Sequence, residues 1–216
     1  MLAPTAQPTV TSGVAQPVHL YLGRNVVIDY LSRSSFEYLL QNPAIKEVVL
    51  SNLPFYKPGL KITPSILEGY ARRLEQLSTF KPPIEIELIA SHFPSGVPLG
   101  FLCLSGIDFA NSKAEFSALF FRGQGSRSLM EACHWALDTI FTELRIEKLI
   151  FYVLRSNNRI HQLMHKLQFH EEAVLTKEIE LENGSREDLM RYTLFKDEWL
   201  CSPMKSVIQK LLQDRH

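Results

Sequence analysis

Leu119-Phe120-Phe121-Arg122-Gly123-Gln124-Gly125-Ser126-Arg127-Ser128-Leu129-Met130-Glu131-Ala132-Cys133 runs an apolar strand straight into a glycine turn and then into a helix. Gly123 and Gly125 lack the Cβ that penalises positive φ, so successive backbone N–H groups there are free to turn toward one point. A helix starting near Ser126 adds its unsatisfied N-terminal donors and the positive end of its dipole. Arg122 and Arg127 complement negative charge. The segment therefore reads either as a pyrophosphate cradle or as a plain glycine turn between a strand and a helix. A nucleotide P-loop is excluded because G-x-x-x-x-G-K-[ST] is absent, and a dinucleotide fingerprint because Ser128 stands at the third glycine position.

Downstream, the helix over 126–144 leads into the apolar strand Lys148–Leu154 and then into Ser156-Asn157-Asn158-Arg159-Ile160-His161-Gln162-Leu163-Met164-His165-Lys166-Leu167-Gln168-Phe169. With these residues the sequence resembles the GNAT superfamily of acyl-CoA N-acyltransferases. That family's R/Q-x-x-G-x-G/A loop is matched by Arg122, Gly123, Gln124, Gly125 and Ser126, with Arg127 in place of a small residue. Its later motif, N-x-x-[AS]-x-x-L-Y-x-K-x-G-F, aligns with Asn157, Leu163, Lys166 and Phe169 at the same spacing. Further segments resemble the branch containing ribosomal-protein N-terminal, amino-sugar and polyamine acetyltransferases: Leu22-Gly23-Arg24 through Leu31-Ser32, Val97–Phe101, Ala114-Glu115-Phe116, and Asn183-Gly184 with Asp188, Tyr192, Glu198 and Trp199. Residues 18–200 are covered.

The resemblance implies an α/β fold with a mixed, mostly antiparallel central sheet flanked by helices, splayed near its middle. It implies transfer of an acyl group from acetyl-CoA or another acyl-CoA to a primary amine, with no metal. Cofactor binding would fall to Phe120, Phe121, Arg122, Gly123, Gln124, Gly125, Ser126, Arg127 and Asn157. Glu115 would be the base that removes the amine proton, against the alternative of a solvent-facing strand carboxylate. Tyr152 and Ser156, near the end of the preceding strand, would hydrogen-bond to the departing thiolate. Asn157 reads equally as a helix N-cap. Three departures, Arg127, Met164 at the usual general-acid tyrosine and Gln168 at the usual glycine, motivate a second reading: an acyl-CoA-binding or interaction module that kept the fold and lost efficient chemistry.

At 216 residues and 45% hydrophobic composition the chain is long enough for one well-packed domain. Lys plus Arg and Asp plus Glu each total 23, so no broad basic surface marks a nucleic-acid partner. Cys103, Cys133 and Cys201 are far apart and lack C-x-x-C spacing, which argues against a disulfide framework or zinc site and points to a reducing, cytoplasmic compartment. Residues 1–17 hold Pro4, Pro8 and Pro17 and no charged side chain, unlike a secretion signal, and read as a flexible leader. No membrane association is expected, and the protein reads as a monomer or homodimer.

The pattern predicts a first strand from residue 18, a helix near 34–42, a loop, and a helix over 64–78 capped by Thr63 with Pro64 in its first turn. Strands follow near 84–91, 98–105 and 113–121. Strands over 171–182 and 188–196 are joined by the turn signal Asn183-Gly184. Residues 201–216 form a final amphipathic helix opening at Ser202-Pro203, which docks on its own domain or on a second subunit. His161 and His165, four apart, read as partly exposed helix histidines rather than a metal pair, which lacks the glutamate of H-E-x-x-H and a third ligand, with His165 a second candidate for proton work. Phe55 and Tyr56 sit in an irregular stretch that would border the acceptor.

Overall fold

The computed structural model describes residues 19–51, 63–121, 126–181 and 183–213. Eight strands form one sheet in the order β1-β2-β3-β4-β5-β6-β8-β7. They are β1 (Tyr21–Leu22), β2 (Val26–Tyr30), β3 (Ile86–His92), β4 (Pro98–Asp108), β5 (Lys113–Phe120), β6 (Lys148–Leu154), β7 (His170–Glu180) and β8 (Arg186–Phe195). Every pairing is antiparallel except β5 with β6, so the sheet is mixed and mostly antiparallel, as the family resemblance implied.

Alternation along the strands sends side chains to two faces, each with its own core. One face carries Ile28, Leu102, Phe116, Phe151 and Tyr192 and is covered by α4 (Ser126–Thr142), with α5 (Asn158–Lys166) contributing Ile160 and Met164, and α7 (Pro203–Gln213) contributing Ile208. The other face, over Ile89 and Phe121, is covered by α1 (Arg33–Gln41), α2 (Pro43–Ser51) and α3 (Pro64–Leu77) through Phe36, Val49 and Tyr70. A short helix, α6 (Lys196–Cys201), leads into α7.

Two expectations change. The stretch read as a loop after α1 begins as α2, because Asn42, whose N–H ends α1 by donating to the Leu39 carbonyl, accepts on its own carbonyl from the N–H groups of Ile45 and Lys46. Pro43 suits that start, since a first-turn residue needs no N–H partner. The single first strand is instead broken at Gly23-Arg24-Asn25, where Glu131 of α4, only 4% exposed, intrudes. Its carboxylate accepts from the backbone N–H groups of Arg24 (2.7 Å) and Asn25 (3.1 Å), the Asn25 amide (2.7 Å) and the Tyr21 hydroxyl (3.2 Å). A Cβ on Gly23 would stand 2.0 Å from that carboxylate, so glycine is required there by proximity.

Thr63 caps α3 by accepting from the Ile66 N–H, with Pro64 first in the helix. Gly184, at φ +77°, makes the β7–β8 turn, its N–H donating to the Leu181 carbonyl. The final helix lies against α4, where Lys205 pairs with Asp138 at 2.6 Å.

Candidate active site

β5 and β6 run side by side for three pairs only, Lys113 with Lys148, Ala114 with Leu149 and Glu115 with Ile150. β5 then continues to Phe120 and β6 to Leu154 without pairing, so a central sheet opens between neighbouring strands. The consequence is visible in exposure: Ser117 and Ala118, on opposite faces of a central strand, are both exposed. Backbone polar groups in mid-sheet are ordinarily paired, and the β6-facing edge of β5 past Glu115 has no strand partner, so it is open to an extended ligand. The N-terminus of α4 starts five residues beyond Phe121, at the same end.

Comparison with solved structures bears on this geometry. The chain superimposes on the ribosomal-protein-S5-alanine acetyltransferase of Vibrio fischeri with a TM-score of 0.66 at 16% identity, covering 83% of this chain and 97% of that one. It superimposes on the spermidine/spermine N-acetyltransferase SpeG of Vibrio cholerae with a TM-score of 0.65 at 19% identity, covering 82% and 95%. This is the GNAT acetyltransferase fold. No protein-family model matches the sequence, and no curated protein matches it either.

Within the GNAT fold, Glu115 lies opposite Ser105 of β4, and its side chain passes over Gly106, where a Cβ would sit 3.5 Å from the carboxyl carbon. Tyr152 is two residues past Ile150, the residue that pairs with Glu115, and so points to the same face, 38% exposed. Burial, and then the charge of Glu115, push its phenol above the usual tyrosine range. Glu115 and Tyr152 therefore flank the mouth of the splay from its two strands. Arg191, opposite Tyr152 on β8, counters that push, and is itself held by Glu172 at 2.8 Å.

The other expected residues separate. Ser156 is in the exposed turn after β6, its N–H donating to Glu187 at 2.6 Å. Asn157 caps α5, its side-chain oxygen accepting from the Ile160 N–H at 3.3 Å, a bond that does not use the amide Nδ2. Phe121 is buried in the core beneath α1–α3, edge-on to Phe101, while Phe120 packs toward the α4 side. Arg127 is exposed on the first turn of α4. Arg122, Gly123, Gln124 and Gly125, like Phe55 and Tyr56, lie outside the described residues, and Ser126 is described in its backbone only.

Met164 packs against the core, with no proton to give. His161, read from sequence as a partly exposed helix histidine, is so placed on α5. Its Nε2 lies 3.0 Å from the Leu154 carbonyl, which accepts only, so Nε2 donates there, and its Nδ1 lies 2.8 Å from the Tyr192 hydroxyl. His165 is exposed, edge-on to the Tyr192 ring. Among the described residues no three His, Cys, Asp or Glu side chains converge as a metal site, and no helix is long and apolar enough to cross a membrane.

Sequence reading missed the neighbouring cavity. A space of 410 Å³ lies between the sheet and α1–α3, alongside the splay. Its polar end holds Tyr70 and Arg73 of α3, Glu85, Glu87 of β3 and Cys103 of β4. Arg73 binds both carboxylates, Glu85 and Glu87, at 2.5 Å each, and Tyr70 donates to Glu87. Burial pushes the Glu87 carboxyl up despite these donors, and raises the Cys103 thiol to about 12, so Cys103 is a protonated thiol and no nucleophile. The alternation Glu85-Ile86-Glu87 within an apolar strand, facing Arg73 three residues after Tyr70, was the signal available in the sequence.

Proposed function

We propose that this protein is an acyl-CoA-dependent N-acyltransferase, with acetyl-CoA as donor and a primary amine as acceptor. The carrying observation is the splay: β5 and β6 part just after Glu115, beside a helix N-terminus at one end and a cavity on one face. The donor's extended thioester arm would lie along the free edge of β5, and its pyrophosphate against the backbone N–H groups from Gly123 to Arg127 at the start of α4. Asn157 would donate its Nδ2 hydrogens to the same arm. The names of the similar structures, one acting on ribosomal protein S5 and the other on spermidine, support an amine acceptor.

In this reading the amine enters from the cavity side, and Glu115 takes its proton directly or through one water. The neutral nitrogen then attacks the thioester carbonyl carbon, a C–N bond forms, the C–S bond breaks, the electron pair leaves on sulfur, and the proton that the new amide nitrogen sheds passes through solvent to the thiolate. Tyr152, kept protonated by burial and by Glu115, donates to that sulfur, the role that Met164 cannot fill. A thiol of ordinary pKa near ~8.5 needs only a modest donor to leave. The proposal extends to a cytoplasmic setting.

Met164 favours one alternative, an acyl-CoA-binding module without turnover. Incubating the protein with acetyl-CoA and an amine library decides between them, following free-thiol release and identifying acylated product by mass. Release matched by an amide product supports the transferase, and CoA binding without release from any amine supports the module.

A further inference from the structure

The floor of the cavity is graded by the strand register. On the face beneath α1–α3, side chains of β3, β4 and β5 line up in rungs: Ile89, Phe101 and Leu119 in the first, Glu87, Cys103 and Ser117 in the second. In the third, Glu115 stands opposite Ser105, with Glu85 just before the paired part of β3. Phe36 of α1 and Val49 of α2 wall the apolar end, while Tyr70 and Arg73 of α3 stand over the acidic one. One wall of the space is therefore apolar and the opposite one ionic, and the ionic end is the end beside Glu115.

Acidic side chains outnumber basic ones at that end. Glu85 and Glu87 share one guanidinium, that of Arg73, so two acidic side chains face a single cation there, with Glu115 on the next rung of β5 beside them. A cation is welcome there, and a second anion meets like charge in a poorly solvated site, a juxtaposition costly for binding. Size sets the other limit. An enclosed apolar space of roughly 150 Å³ holds benzene. The 410 Å³ here accommodates a ring with an aminoalkyl arm, within the range of small-molecule pockets and far below a folded chain.

Resting on the acyl-transfer reading above, we infer that the acceptor is a small amphipathic amine: a cationic head held beside Glu85, Glu87 and Glu115, an apolar aromatic or branched aliphatic body against Phe101 and Leu119, and no anionic group next to the nitrogen. A polycation has no apolar body for the first rung. An amino acid of the right shape carries a carboxylate into the acidic end.

The test compares three probes by calorimetry on the full-length protein saturated with CoA: 2-phenylethylamine, phenylalanine and spermidine. Phenylalanine differs from the first only by its carboxylate, and spermidine replaces the ring with further charge. The expected result is binding of 2-phenylethylamine about tenfold or more tighter than either of the others. Leu119→Asn, a partly exposed position, should cut that advantage over spermidine several-fold, and Glu85→Gln with Glu87→Gln should cut the advantage over phenylalanine. Equal or tighter binding of phenylalanine or spermidine by the wild type overturns the inference, as does failure of all three to bind. Thiol release with acetyl-CoA is read separately: the expected rank order in binding without release would refute acyl transfer and leave the shape and charge of the site standing.

Discussion

Replacing Glu131 with glutamine should unfold this protein far more readily than a change of one atom suggests. The carboxylate is 4% exposed and accepts four hydrogen bonds, two on each oxygen: Tyr21 hydroxyl and Arg24 N–H on one, Asn25 N–H and Asn25 side-chain amide on the other. A glutamine amide places NH2 where one oxygen was, and either orientation turns two donors against two others. Each buried group left unsatisfied costs roughly 1–3 kcal/mol, so the substitution should cost about 2–5 kcal/mol. Against a total of roughly 5–15 kcal/mol that is a large share. At about 2–4 °C per kcal/mol for a chain of this size, the melting temperature should fall by roughly 5–15 °C. Urea unfolding followed by the fluorescence of Trp135 and Trp199 measures it directly. A loss below about 1 kcal/mol would mean that the Gly23–Asn25 break is not held by this carboxylate. Gly23→Ala should act through the same contact, since its Cβ must displace the Glu131 oxygen.

Glu115→Gln keeps the shape of the side chain and removes the basic site, so turnover should fall by about 10²-fold or more with acetyl-CoA affinity little changed; wild-type rates at every pH would return Glu115 to a structural role. Gly125→Val should abolish CoA binding in a folded protein if the backbone there cradles pyrophosphate, and unchanged affinity in calorimetry would sink that assignment. His134, on α4, has its Nε2 buried with no hydrogen-bond partner among the described residues, facing Asp138 of its own helix, Lys205 of α7 and the ring of Trp199. Burial holds its pKa below the ordinary 6.5, so the unfolded chain takes up its proton first as pH falls through 6.5, and stability must drop over that window. His134→Phe should flatten this part of the stability–pH curve, and a curve unchanged by the substitution would show the proton to bind elsewhere.

The order of strands and helices was legible along most of the chain because its signals are local. Thr63-Pro64 caps a helix through atoms three residues away, Asn183-Gly184 sits in a hairpin turn that requires positive φ at Gly184, and two-residue alternation reveals a strand wherever one face is buried. Glu115 and Tyr152 were proposed from sequence as strand residues near the glycine loop, and it is the β5–β6 register that sets them on one face. The loop assigned to the stretch after Asn42 failed for the opposite reason: only the hydrogen bonds of Asn42, back to the Leu39 carbonyl and forward from Ile45 and Lys46, show that a second helix opens there.

What only the tertiary structure decided are the features made by residues distant in sequence. The splay exists because β5 and β6, joined through α4, keep three pairs and then part, and nothing in either strand alone marks where pairing ends. The cavity is made from helices before residue 78 and strands after residue 85, so its graded floor depends on the antiparallel register that sets Glu87 beside Cys103 and Phe101 beside Leu119. His161 was a partly exposed helix histidine on the helical pattern, and only the fold brought the Leu154 carbonyl and the Tyr192 hydroxyl to its two nitrogens. Sequence specifies the local conformational preferences, which act over a few bonds; burial, charge pairing and the shape of a site arise from chain segments that meet only when the sheet closes.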